Sequence, residues 1–202
     1  MFLYTVPYTQ IPDPNPLVAL MPPDRRARFD VALGDPGPLF AYTLLALALE
    51  RHYGVSAQDI VYTDRGKPYL PHSSVRFSLS HCKTHALCAV ADFPVGCDIE
   101  TRRPVSDHTC RRVLAPTEDA SDFFAYWTLK ESYLKLAGGH TRPYADIAFT
   151  LTDDHATGGN ARGFLYRLSS DCTAAVLARE PFSRPELTIL SPAELFSYAM
   201  KK

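Results

Sequence analysis

No C-x-x-C pair occurs in this chain of 202 residues, and its five cysteines, Cys82, Cys88, Cys97, Cys110 and Cys172, are odd in number. A disulfide framework or a structural zinc site is therefore disfavoured, and buried free thiols in a reducing cytoplasm are the expectation. Neither sign of charge is in surplus: 21 Lys and Arg against 22 Asp and Glu leave a formal charge of −1. That argues against a general nucleic-acid binder, although basic residues cluster at Arg25, Arg26 and Arg28 and again at Arg102, Arg103, Arg111 and Arg112. No apolar run is long enough to span a bilayer. The longest, Leu39 to Leu49, runs into Glu50-Arg51-His52 and reads as a core helix. The opening Met1-Phe2-Leu3-Tyr4-Thr5 lacks the charged and apolar regions of a signal peptide. Fixed-period repeats and low-complexity segments are absent too.

What is present is an ordinary globular composition, 46% hydrophobic and 21% charged, with enough material for a sizeable core. Seventeen prolines, many in the first forty residues, break the N-terminal region into loops and short helices after an initial strand at 2–6. A helix is expected over 38–53, stopped by Gly54, and strands near 60–62, 75–80, 86–91 and 95–100. Arg102-Arg103-Pro104 marks a linker. Beyond it a short helix at 107–114 precedes a main helix at 121–137 that ends at Gly138-Gly139. Strands then alternate at 147–151, 163–168, 173–178 and 187–190, with 152–162 expected as a turn or mobile loop. Ser191-Pro192-Ala193-Glu194 has the form of a capping box opening a last helix. The pattern predicts an α+β protein in two halves, 1–101 and 102–202.

Familiar catalytic signatures are missing as well. Arg65-Gly66-Lys67-Pro68 is a turn with a cation at its tip, not a P-loop. There is no G-x-S-x-G elbow, and adjacent Ser80 and His81 diverge on a strand, so they cannot act as nucleophile and base. They suit phosphate instead, through a hydroxyl donor and a protonated imidazole. His81 and His85, read as one strand, would lie about 13 Å apart and could not share a metal.

Two stretches carry the chemistry. In Gly96-Cys97-Asp98-Ile99-Glu100 the two carboxylates project to one side of a strand. At about 100° per residue, Trp127, Glu131, Leu134 and Lys135 share one helix face. Two neighbouring carboxylates repel unless a cation neutralises them. A third from Glu131 makes an all-oxygen set, which suits Mg²⁺ better than Zn²⁺. The plainer alternative is a solvent-facing strand edge beside a helix surface with a Glu131–Lys135 pair at i,i+4.

Taken in order, G-K-P, F-x-x-S-H, G-x-D-x-E and W-x-x-K-E-x-x-x-K, spread over residues 66–135, resemble the 4′-phosphopantetheinyl transferase superfamily in its two-domain Sfp-like branch. The resemblance implies two similar halves related by pseudo-twofold symmetry, with the active site at their interface, in a cytoplasmic monomer. It implies Mg²⁺-dependent transfer of the phosphopantetheine arm of coenzyme A to a serine of an acyl or peptidyl carrier protein, releasing adenosine 3′,5′-bisphosphate. Neither a membrane nor a nucleic acid is an expected partner. By that resemblance Asp98, Glu100 and Glu131 hold Mg²⁺, Glu131 is also the candidate base, and Lys135 contacts the phosphate nearer the adenosine. Lys67, Ser80 and His81 bind coenzyme A, with Arg25, Arg28 and Thr43 near its 3′-phosphate. Two positions depart from the family: Ser78 stands where Asn is frequent, and Tyr42 where Arg is common. The arginines of 102–112, with Val113, Leu114 and Phe123, form the expected surface for an acidic carrier. A carrier-binding module without turnover and a nucleotide-binding regulator are the competing readings.

Overall fold

The computed structural model describes residues 1–8, 13–27, 29, 35–64, 66–139 and 142–202. In chain order the elements are β1 (Phe2–Pro7), α1 (Asn15–Ala19), α2 (Pro23–Arg26), α3 (Gly37–Tyr53), β2 (Val61–Tyr62), β3 (Pro68–Tyr69), β4 (Arg76–His81), β5 (His85–Ala91) and β6 (Val95–Thr101). They continue with α4 (Asp107–Val113), α5 (Phe123–Ala137), β7 (Phe149–Thr152), β8 (His155–Gly158), β9 (Ala161–Arg167), β10 (Cys172–Ala178), β11 (Leu187–Ile189) and α6 (Pro192–Ala199). The class is α+β, as the sequence pattern predicts. Among the described residues no helix is long and apolar enough to cross a membrane.

The chain forms two compact units, one of Met1–Asp92 with Pro185–Lys202, the other of Phe93–Arg184. The sequence pattern divides the chain by order alone. The contact division follows pairing: β11 returns to lie parallel to β1, Leu3 opposite Leu187, while β6 pairs along its whole length with β10.

In the first unit the sheet order is β11-β1-β5-β4. The apolar run of the sequence forms α3, whose residues 39–49 are all buried and which ends where Gly54 takes φ 63. Its core joins Val6, Leu17, Leu44, Leu45, Leu49 and Val90 to Leu195 of α6. The Ser191–Glu194 capping box opens α6 as expected.

In the second unit the order is β6-β10-β9-β8-β7, and α5 lies against β6 and β10. The stretch 152–162 is not a mobile loop but contains β8, entered and left by tight turns with Asp153 at φ 56, Gly159 at φ 59 and Asn160 at φ 63. The polar turn residues masked a four-residue strand too short to show a period. His81 and His85 also differ from the one-strand expectation, because they flank the β4–β5 hairpin in which His81 pairs with Ala86.

Candidate active site

The site in the second unit is built by one close approach. A Cβ on Gly96 of β6 would stand 2.0 Å from the Ser132 carbonyl oxygen and 2.7 Å from the Leu136 nitrogen, so only glycine lets the α5 backbone settle on the strand. Asp98 and Glu100, two and four residues on, face the same helix. Lys135 Nζ donates to Asp98 Oδ1 at 2.7 Å, and Trp127 Nε1 donates to Glu100 Oε1 at 2.9 Å. Glu131 lies one turn from each of these helix residues.

Between Phe123 and Leu136 the positions that are not buried are Trp127, Glu131 and Lys135. The i, i+4, i+8 spacing read from the sequence is therefore the one accessible stripe of an otherwise buried helix. Asp98 is 4% exposed, and the plain reading of a solvent-facing strand edge does not hold for it.

Further donors hold the remaining carboxylates. Arg103 Nη1 donates to Glu100 Oε2 at 2.7 Å. The Tyr144 hydroxyl donates to Glu131 Oε1, and the Tyr144 ring stacks on Trp127 with centroids 5.2 Å apart. Burial, and then the Glu131 carboxylate, push the Tyr144 phenol well above its ordinary range, so it stays a proton donor. Sequence reasoning did not find Tyr144, which sits in a short helical turn after α5 at no helical spacing from the motif. It placed Arg103 among the arginines of the expected carrier surface and did not foresee its bond to Glu100.

The first lysine of W-x-x-K-E turns the other way. Lys130 is fully buried, 2.5 Å from Glu118 Oε2, and donates to the Val113 carbonyl at 2.6 Å. Glu118 also accepts from the amides of Ala115 and Phe149, at 2.8 and 2.9 Å. Burial, only partly offset by Glu118, holds the ammonium below its ordinary range. Lys130 thus belongs to the frame that sets the helix, next in sequence to the stripe that carries the chemistry.

The donor set formed by Asp98, Glu100 and Glu131 is all oxygen and suits Mg²⁺. Each carboxylate oxygen offers two acceptor directions, so the bonds from Lys135, Trp127, Arg103 and Tyr144 are compatible with ligation. In donor chemistry the residues present fit the ion.

The expected coenzyme A ligands lie in the first unit. Ser80 is buried on β4, and at its end His81 Nε2 meets Asp35 Oδ2 at 3.1 Å. A Cβ on Gly37 would come within 2.2 Å of the His81 ring, so glycine at the start of α3 admits the imidazole. Lys67 sits at the β2–β3 turn, its ammonium drawn down by burial and then by Arg76. Arg25 is exposed on α2 and acts electrostatically on Tyr62, whose hydroxyl lies 2.9 Å from that of Tyr42. Thr43 is fully buried and its hydroxyl donates to the Leu39 carbonyl at 2.8 Å. Arg28 lies outside the described residues.

Residues 94–190, which hold the β6–α5 site, match the 4′-phosphopantetheinyl transferase superfamily. A 4′-phosphopantetheinyl transferase of Bacillus subtilis is 32% identical over 126 residues, covering 55% of this chain and 56% of that protein. The 4′-phosphopantetheinyl transferase HetI of Nostoc sp. is 32% identical over 150 residues, 64% of this chain and 60% of HetI. Sfp of Bacillus subtilis strain 168 is 26% identical over 182 residues, 78% of this chain and 80% of Sfp. By these likenesses the chain is similar to members of the 4′-phosphopantetheinyl transferase superfamily, the matched segment holding just under half of its residues. The likeness includes Sfp itself, and the chain spans less than two thirds of the length of the first two of these relatives.

Proposed function

We propose that this chain transfers the 4′-phosphopantetheine arm of coenzyme A to a serine of an acyl or peptidyl carrier protein, as a holo-acyl-carrier-protein synthase, releasing adenosine 3′,5′-bisphosphate. The observation that carries this reading is the single accessible stripe of α5, Trp127, Glu131 and Lys135, set against Asp98 and Glu100 of β6. Relatives named 4′-phosphopantetheinyl transferase support the reaction class.

Asp98, Glu100 and Glu131 would hold Mg²⁺. The ion, when bound, supplies positive charge to the pyrophosphate of coenzyme A. The serine hydroxyl is a weak nucleophile near neutral pH, and Glu131, directly or through a water, would take its proton. The serine oxygen then bonds to the phosphorus on the pantetheine side. The bond from that phosphorus to the bridging oxygen breaks, and the bridging oxygen leaves with the adenosine-side phosphate. Lys135, here paired with Asp98, would reach that phosphate and offset its growing charge. Phosphoryl transfer needs little else from the protein than such positioning and charge.

Lys67, Ser80, His81, Arg25, Arg28 and Thr43 of the first unit would take the nucleotide and its phosphates. Thr43 fits this role least, since its hydroxyl is buried and already given to Leu39. Arg102, Arg103, Arg111 and Arg112 would attract an acidic carrier. The protein would act as a cytoplasmic monomer.

Intact mass spectrometry of an apo carrier protein, incubated with this chain, coenzyme A and Mg²⁺, tests the proposal. The expected result is a gain of one phosphopantetheine arm that EDTA abolishes. Absence of that gain on both fatty-acid and peptidyl carriers, while coenzyme A still binds, would overturn transfer in favour of a non-catalytic binding module.

A further inference from the structure

Tyr144 lies outside the four motifs, yet it closes a chain of contacts around the site. Its hydroxyl donates to Glu131 Oε1. Its ring stacks on Trp127 at 5.2 Å with planes 23° apart, and the Trp127 indole donates to Glu100 Oε1 at 2.9 Å. Phe123 also stacks with Trp127, at 5.9 Å and 24°. One carboxylate belongs to a helix and the other to a strand; the Gly96 approach sets the two backbones, but their carboxylate oxygens still turn on flexible side chains. The Tyr144–Trp127 stack links the two.

We propose that Tyr144 is a positioning residue that fixes Glu131 by its hydroxyl and Glu100 through the Trp127 stack, presenting the two carboxylates to a divalent cation as one preset pair. This rests on the metal-holding reading of the site given above. Glu131 is a flexible side chain of which one oxygen is held by Tyr144, and the same carboxylate can then ligate with no further loss of rotamer freedom. Bonds of this kind to a ligating group typically govern affinity by about 10- to 100-fold.

Trp127 is the only tryptophan in the chain, so its fluorescence and its single indole N–H resonance report on the site alone. The test titrates the whole chain with Mg²⁺, and separately with Mn²⁺, as wild type, Tyr144→Phe and Tyr144→Leu, with Asp98→Asn as a control for site occupancy. Tyr144→Phe keeps the ring and removes the bond. It is expected to weaken metal binding about 10-fold or more, with an unchanged thermal midpoint, and to regain transfer when the metal concentration is raised. Tyr144→Leu, which also removes the stack, should weaken binding further and shift the indole resonance of the metal-free protein. Recovery at high metal separates positioning from structural damage, which added metal would not repair. A wild type that binds metal, with Tyr144→Phe binding equally well, overturns this inference alone. A wild type that binds neither ion overturns the metal reading and this inference with it.

Discussion

Helix α3 of the first unit and helix α5 of the second both end on a left-handed glycine, Gly54 at φ 63 and Gly138 at φ 88, and each packs on a mainly antiparallel sheet. Along 39–49 of α3 every residue is buried, and even the Thr43 hydroxyl is turned back onto its own helix. Between Phe123 and Leu136 of α5 three positions one turn apart escape burial, and two of them meet carboxylates on the neighbouring strand. A helix buried all round serves the core alone. A helix with one polar stripe can hold charge at fixed height above a strand. The two helices therefore differ in which residues occupy that stripe: along 39–49 α3 offers only packing, while α5 presents Trp127, Glu131 and Lys135.

The largest effect should come from emptying the stripe or its opposite strand. Glu131→Gln and Asp98→Ala are expected to lower carrier modification by about 100-fold or more, while the circular dichroism and thermal midpoint stay near wild type. Turnover close to wild type in either variant would remove the distinction drawn between the two helices.

Next in size is the buried frame beneath the stripe. Lys130→Ala leaves Glu118 charged, fully buried and without its cation, a loss expected to cost about 3–5 kcal/mol in urea denaturation. Replacing both residues by apolar ones of similar volume should recover much of that loss. A double variant no more stable than Lys130→Ala would mean that the amide bonds of Glu118, not its charge, dominate. Gly96→Ala should cost less, about 1–3 kcal/mol, by forcing α5 away from β6. It should also impair transfer, because the same separation lengthens the Lys135–Asp98 contact. Stability unchanged in Gly96→Ala would show that the close approach is not what sets the site.

The β6–α5 site was legible because both of its periods are local. A two-residue alternation puts Asp98 and Glu100 on one face, and a four-residue spacing puts Trp127, Glu131 and Lys135 on one stripe. Long helices with glycine stops and the Ser191 capping box were legible for the same reason. Residues that act across the chain were not. Glu118 is one acidic residue in a polar turn until Lys130 and the Phe149 amide are seen to converge on it. Tyr144 follows a proline in a short turn, and nothing in its spacing links it to Glu131. Strand β8 was missed because Asp153, Gly159 and Asn160, which favour positive φ, mark its two ends so strongly that the four residues between them read as loop.

The smallest effect compares α6 of the first unit with α4 of the second. Both begin at a serine whose hydroxyl oxygen accepts from the third helical amide, Ser191 from Glu194 and Ser106 from Thr109, each at 3.2 Å. Only α6 adds a carboxylate, since Glu194 accepts in return from the Ser191 amide at 2.7 Å. Those bonds to Ser191 lower the Glu194 pKa below its ordinary 4.5. A carboxylate whose folded pKa is depressed contributes stability above its unfolded value and loses it as pH falls through the folded one. Acidification from neutral to below that range should therefore raise amide exchange across the first turn of α6 before that of α4, whose Ser106–Thr109 cap includes no carboxylate. Glu194→Gln should remove the difference while keeping the hydrogen bond. Equal fraying of both helices, at the same pH, would assign the acid sensitivity to the fold as a whole and not to this cap.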